Sequence, residues 1–212
     1  MVSVAQLTLA QWLSPAFPTG AFAYSHGLEQ VVAEDAVTDA TEFEKWLGEI
    51  LRFGTGWQDA VLLAQGLAPG ADFDRLDAMA LALQPAAERL SESAEQGAAF
   101  ARTVAATTGR RLAPRMLPIA VAEAAKPLDL GRAEVVAAFL HSFTTNLVTI
   151  AIRHVPLGQS DGHAVLSRLL PVIAELAEAA ETATLDDLSN TCFRADLAAI
   201  HHETKDVRVF RT

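Results

Sequence analysis

One segment of this chain, from Arg132 to His154, is so rich in apolar residues that it constrains the fold more than any other feature. A helix over this segment would be apolar around most of its circumference, and such a helix must be buried on most sides. The sequence therefore predicts a long central helix at 132–154 that other elements cover. The apolar residues that carry this prediction are Val135, Val136, Phe139, Leu140, Phe143, Leu147, Ile150 and Ala151.

Composition indicates that the covering elements are helices as well. Apolar residues make up 51% of the 212 residues while Phe, Trp and Tyr make up only 7%. Ala and Leu dominate, and this mixture favours close-packed helices over sheet. No Gly/Ser-rich or Pro-rich linker divides the chain. The sequence therefore predicts one all-α domain over residues 1–212, a helical bundle of about eight to ten helices around the central one.

Local signals predict the course of the N-terminal half. Thr41 to Glu44 forms a capping-box pattern ahead of an amphipathic helix. The segment Ala21–Ala33 looks helical, and Gly27 within it predicts the close approach of another backbone. On a later predicted helix, a run of charged side chains is expected to form a solvated face. Its members are Glu88, Arg89, Glu92 and Glu95.

The segment from Ser14 to Glu29, here called the proline-aromatic segment, combines a restricted backbone with aromatic side chains. Pro15 and Pro18 fix the backbone ahead of Phe22 and Tyr24. Two interpretations stay open from these residues alone: the aromatic side chains are ordinary core, or they are presented to a partner at low entropic cost. Because residues two apart on a helix point in different directions, one of the pair can be core and the other contact.

The last eight residues, Lys205 to Thr212, are here called the tail. They alternate apolar and charged side chains and carry no helix signal. A segment without a core of its own is expected to be flexible alone and to order on a partner. In that interpretation Arg208 is a charged anchor and Phe210 an apolar one.

Charge and cysteine content exclude several classes of function. The formal net charge is −10 with only three lysines, whereas nucleic-acid binding needs clustered Lys and Arg. The single Cys192 excludes an internal disulfide and favours a reducing compartment, so we expect a cytoplasmic location. The N-terminus lacks the basic region of a secretory signal, and no membrane association is predicted.

No cofactor, metal or catalytic site is predicted. The six histidines include no pair spaced three or four apart, although Cys192, His201 and His202 could meet weakly across a dimer axis. No lysine follows a glycine as a phosphate-binding loop requires. Residues 158–162 match G-x-S-x-G around Ser160, but a predicted helix rather than a strand precedes them. A turn between helices is therefore favoured over a hydrolase nucleophile.

Four short motifs, in order along the chain, carry a family resemblance. They are Ser14-Pro15-x-x-Pro18-x-Gly20-x-Phe22-x-Tyr24-Ser25-x-Gly27-Leu28-Glu29, then Arg89-x-x-x-Ser93 with Gly97, then Asn146-Leu147-Val148 leading to Arg153 and residues 155–162, and finally His202-Glu203-Thr204 with residues 208–212. Together they resemble the UreF family of urease accessory proteins, helical chaperones of nickel insertion. The resemblance spans nearly the whole chain, and the sequence departs from the family pattern at Leu112–Leu128 and Lys205–Val207.

The resemblance implies a dimeric all-α protein with no catalytic activity or cofactor of its own. It implies that the N-terminal region and the tail bind a second accessory protein, UreD or UreH, and that the nickel-carrying GTPase UreG docks on the dimer to mature apo-urease. Two roles stay open, a scaffold or a regulator of GTP hydrolysis by the partner, which would need a supplied arginine. An enzyme at Ser160 is a weaker third alternative. The partner-binding residues that the resemblance implies are Pro18, Gly20, Phe22, Tyr24, Ser25, Glu29, His202, Glu203, Arg208 and Phe210.

Overall fold

The computed structural model describes residues 3–212 and contains helices, turns and loops, with no strand in that range. Ten α-helices occur in these residues, together with short 3₁₀ turns at Ala21–Ala23, Lys126–Leu128 and Leu185–Asp187. The predicted all-α class is confirmed. The helices are α1 (Val4–Trp12), α2 (Leu28–Ala33), α3 (Ala40–Phe53), α4 (Thr55–Leu67), α5 (Phe73–Ala82), α6 (Ala87–Thr108), α7 (Leu117–Ala125), α8 (Arg132–His154), α9 (Gln159–Thr182) and α10 (Phe193–His202).

The predicted central helix is confirmed as α8, which packs along α9 and also contacts α4, α3 and α1. Most of its apolar side chains, among them Leu140 and Ile150, are buried in the main core, and Phe143 is partly buried against it. By length and apolar composition, with a mean hydropathy of 1.7, α8 is the one helix within residues 3–212 that could cross a membrane. Its place between other helices is that of a core helix.

The amphipathic helix α3 is present as predicted, but its N-terminal cap lies two residues earlier than the pattern indicates. The Asp39 carboxylate accepts hydrogen bonds from the backbone N–H groups of Thr41 and Glu42, at 2.8 and 2.9 Å. Glu42 in turn accepts from the N–H of Thr38 at 2.8 Å. Asp39 caps the helix in place of Thr41, because aspartate is among the strongest N-cap residues.

The helix predicted over 21–33 is wrong, because the chain leaves the helical conformation in its middle. After the 3₁₀ turn, His26 has φ 60° and Gly27 has φ 80°, and α2 begins only at Leu28. A Cβ on Gly27 would lie 3.2 Å from the backbone N of Ala199 and 3.4 Å from the carbonyl O of Ala195. The predicted close backbone approach at Gly27 is thus confirmed, and α10 is the element that approaches.

The structure also corrects the expectation of a free tail, which packs against the proline-aromatic segment. The N–H of Arg211 donates to the carbonyl of Ala23 at 2.8 Å, and the N–H of Ser25 donates to the carbonyl of Thr212 at 2.9 Å. Phe210 is 6% exposed, and its ring meets the ring of His154 edge to face at 5.5 Å. The tail has no core of its own but shares that of the domain.

Candidate functional site

The residues predicted to bind partners come together where the tail crosses the proline-aromatic segment, and Glu29 joins the two. Its buried carboxylate accepts hydrogen bonds from the backbone N–H of Phe210 at 2.8 Å and of Val209 at 3.0 Å. Burial opposes its ionisation, but these two bonds and the His202 ring hold the pKa of Glu29 below its usual value. An ionised carboxylate that accepts several hydrogen bonds makes strong, directional contacts.

His202, which is fully buried, lies between two carboxylates. Its Nδ1 is 2.7 Å from Oε2 of Glu88, and its Nε2 is 3.3 Å from Oε2 of Glu29. Only the doubly protonated imidazolium can donate to both, because a neutral ring has a single N–H. Arg208 also donates to Glu88, and Nζ of Lys205 is 3.9 Å from Glu29. We call Glu29, Glu88, His202 and Arg208 the tail lock.

A second set of contacts holds the end of the tail. The Tyr24 hydroxyl donates to Glu95 at 2.6 Å, and Arg211 donates to the same carboxylate through both terminal nitrogens, at 2.6 and 2.9 Å. The Arg211 guanidinium also lies 5.1 Å from the centre of the Tyr24 ring. Burial, followed by the bond to Glu95, raises the pKa of Tyr24. Sequence reasoning missed Glu95 and Arg211 because they are 116 positions apart.

The predicted solvated face on α6 is wrong in part, because Arg89 and Glu92 are buried and form an ion pair. The Glu92 carboxylate also accepts from the Thr212 hydroxyl at 2.9 Å and lies 3.7 Å from Nδ1 of His26. Burial opposes ionisation of Glu92, but the adjacent guanidinium of Arg89 holds its pKa at about 2. Burial, reinforced by Arg89, lowers the pKa of His26 to about 4, so this imidazole is neutral.

The two aromatic residues of the proline-aromatic segment have different environments. Tyr24 is 3% exposed and Phe22 is 68% exposed. Pro18 is exposed as well, and Gly20 has φ 79° with no atom within 4 Å of a Cβ built on it. Tyr24 therefore belongs to the core, while Phe22 and Pro18 offer rigid apolar surface.

Further exposed apolar side chains, which sequence reasoning missed, occur on one face of α10 and in the tail. Phe193, Leu197 and Ile200 are 68%, 52% and 42% exposed and occur at the i, i+4, i+7 spacing of one helix face. Val207 and Val209 of the tail are also exposed. The signal was available in the sequence, since the opposite face of α10 consists of the small buried residues Ala195, Ala198 and Ala199. We call the five exposed side chains the α10–tail surface.

Comparison with known proteins identifies the family of this chain. The sequence model of the UreF family matches residues 37–170. A urease accessory protein UreF from Cereibacter sphaeroides is 56% identical over 211 residues and covers 100% of both chains. The chain belongs to the UreF family. A relative with the same name from Paracoccus denitrificans is 47% identical over 208 residues, which cover 98% of this chain and 96% of the relative. Another, from Roseobacter denitrificans, is 46% identical over 217 residues, which cover 100% of this chain and 96% of the relative.

Two other sequence motifs of this UreF-family chain have structural roles. Ser160 lies in the first turn of α9, directly after α8, where the Asp161 carboxylate accepts from the N–H of Gly158 at 3.3 Å. The fold therefore places Ser160 in a helix start and not on a strand-to-helix elbow. Glu203 accepts from the N–H of Glu88 at 3.2 Å, which ties α10 to the start of α6.

The candidate metal ligands are dispersed. Cys192 is a buried residue at the start of α10, and burial raises the pKa of its thiol to about 11. His201 is exposed, whereas His202 belongs to the tail lock. Across residues 3–212 no three His, Cys, Asp or Glu side chains converge as a metal site requires.

Proposed function

We propose that this protein is a non-catalytic cytoplasmic scaffold that works as a homodimer. In this proposal it brings the accessory protein UreD or UreH and the GTPase UreG together on apo-urease for insertion of nickel. The accessory role in urease maturation follows from the family. The specific partners, the dimer, the location and the absence of catalysis are our inference.

The observation that carries the proposal is a rigid frame with apolar surface on its outside. The proline-aromatic segment and the tail are joined by buried hydrogen bonds in which Glu29 and His202 take part, so these two residues hold structure. Phe22 and the side chains of the α10–tail surface are exposed. Exposed apolar side chains grouped in this way mark protein interaction sites.

We assign the α10–tail surface to UreD or UreH. Val207 and Val209 are exposed on either side of Arg208, which the tail lock holds to Glu88. Five residues that were predicted to touch partners are buried, so they would act on partner binding indirectly. They are Tyr24, Ser25, Glu29, His202 and Phe210. Arg208 and Glu203 are partly accessible and border the same surface.

We assign Phe22 and Pro18 to the GTPase. Their backbone is restrained by proline, so little conformational entropy is lost when a partner covers them. A neighbouring residue supports the alternative role in GTP hydrolysis. Arg102 is exposed, forms no ion pair with another residue of the described range, and lines a shallow depression with Phe22 and Gly20. An arginine supplied to a GTPase stabilises the charge of phosphoryl transfer.

Reconstitution with purified components tests the proposal. We expect light scattering to give a mass for two copies of this chain with two copies of each accessory partner, and urease activity to require the chain. Arg102→Ala, with Arg102→Lys as the charge-retaining control, separates the two roles, because only a regulator would lose its effect on GTP turnover while the complex persists. Absence of a complex with either partner would refute the scaffold.

A further inference from the structure

A cavity lies beneath the proline-aromatic segment. Its volume is about 340 Å³, and it lies between that segment, the first turns of α4, and the facing sides of α6 and α8. Such a volume is within the range of small-ligand pockets, roughly 300–1,000 Å³. Pro15, Pro18 and Phe22 border it and are exposed, so they form its rim. Trp12, Phe17 and Phe100 are buried and provide apolar wall.

The charges that line the cavity do not balance. They are Asp59, Arg89 and Glu92. Arg89 and Glu92 neutralise each other as an ion pair, and Glu92 has its further contacts to Thr212 and His26. The carboxylate of Asp59 takes part in no hydrogen bond or ion pair with another residue of the range 3–212. Of these three side chains, Asp59 is therefore the one whose carboxyl group has no partner.

Two observations show what the cavity would accept. Burial, reinforced by Glu92 and opposed by Arg89, raises the pKa of Asp59 to about 7, so its charged form needs a partner. Oε1 of Gln84, which also lines the cavity, is buried and accepts no hydrogen bond. Nε of Arg89, which is likewise buried, donates no hydrogen bond. The unfilled acceptors are thus the carboxylate of Asp59 and the amide oxygen of Gln84, and both require donors.

We infer that this cavity receives the arginine side chain of a partner protein, with the guanidinium on Asp59 and the apolar stem against the aromatic wall. A guanidinium carries five N–H donors in a planar fork, enough for both acceptors, and it favours aromatic surroundings. The rim indicates that the guanidinium belongs to a polypeptide. Pro18 and Phe22 are exposed apolar side chains at the mouth of the cavity, and the residues next to the arginine in a partner chain can cover them. The choice of a protein partner rests on the proposed scaffold function.

The cavity is tested first without any partner, using n-butylguanidinium and the uncharged n-butylurea as probes. NMR titration of the purified chain should give saturable shifts of the Trp12 indole N–H with n-butylguanidinium and much weaker binding of n-butylurea. Because only ionised Asp59 binds the cation, apparent affinity should fall about tenfold from pH 8 to about pH 6. Equal binding of the two probes, or affinity independent of pH, would overturn the inference.

Matched variants complete the test. Asp59→Asn should weaken n-butylguanidinium binding at least about tenfold, whereas Asp186→Asn, the same change at an exposed position outside the cavity, should leave it unchanged. Far-ultraviolet circular dichroism establishes that both variants fold. Asp59→Asn should also weaken binding of the GTPase UreG, to which the rim residues Pro18 and Phe22 are assigned, by a similar factor.

The outcomes separate this inference from the proposed function. If the probe depends on Asp59 but every partner binds the Asp59→Asn chain as tightly as the parent, the partner arginine is refuted and the scaffold stands. If the parent chain binds no partner, the scaffold and the partner arginine both fail. The probe titration still decides in that case whether the cavity takes a guanidinium.

Discussion

Substitution of Phe22 by alanine distinguishes a core residue from a contact residue. Replacement of a fully buried phenylalanine by alanine lowers the free energy of unfolding by roughly 3–5 kcal/mol. Phe22 is 68% exposed, so only about a third of its surface is withdrawn from water. Scaling by that third, Phe22→Ala should lower the free energy of unfolding by only about 1–1.5 kcal/mol.

The same substitution should have a larger effect on partner binding. An exposed aromatic side chain at the centre of an interface commonly contributes about 2 kcal/mol or more, which corresponds to roughly a 30-fold loss of affinity. Urea unfolding followed by circular dichroism gives the stability, and isothermal titration with the GTPase gives the affinity. Phe100→Ala is the matched control, since Phe100 is 1% exposed and should show the full core cost.

Two results would contradict this reasoning. A loss of 3 kcal/mol or more in Phe22→Ala would mean that the ring is core in solution. Unchanged affinity for the GTPase, in a variant that remains folded, would remove Phe22 from the interface.

Three further predictions concern the polar groups. Glu29→Gln removes the charge that the tail lock requires, so the backbone amide of Phe210 should exchange its hydrogen with solvent much faster. Unchanged exchange would mean that Glu29 does not hold the tail. The folded-state pKa of Asp59 is raised from 3.8 to about 7, so the free energy of unfolding should fall as pH rises across that interval. The loss should be at most about 4 kcal/mol, and smaller where water in the cavity screens the charge. Asp59→Asn should abolish this loss in urea unfolding at about pH 5 and about pH 8, and an identical profile in the variant would refute it. Cys192→Ala combined with His201→Ala should leave urease activation in reconstituted extracts intact, and loss of activation with the complex preserved would indicate that the chain carries nickel.

Tertiary structure alone decided which charged residues became interior. Arg89 and Glu92 are three apart on a helix, a spacing that is typical of a solvated face. They are buried because the tail and His26 cover them, and the Thr212 contact is 120 positions away in the chain. Likewise, Gly27 predicted that another backbone passes close by, but only the folded chain shows that this backbone belongs to α10.

The sequence by itself determined the features that depend on neighbouring residues. Helix α8 was predictable because its apolar residues form a nearly continuous run within one segment, and the helix observed over Arg132–His154 buries most of them. The family was predictable because its motifs are local strings. The packed tail was not, since Glu29 and Phe210 lie 181 positions apart and their bond exists only once the whole core has brought them together.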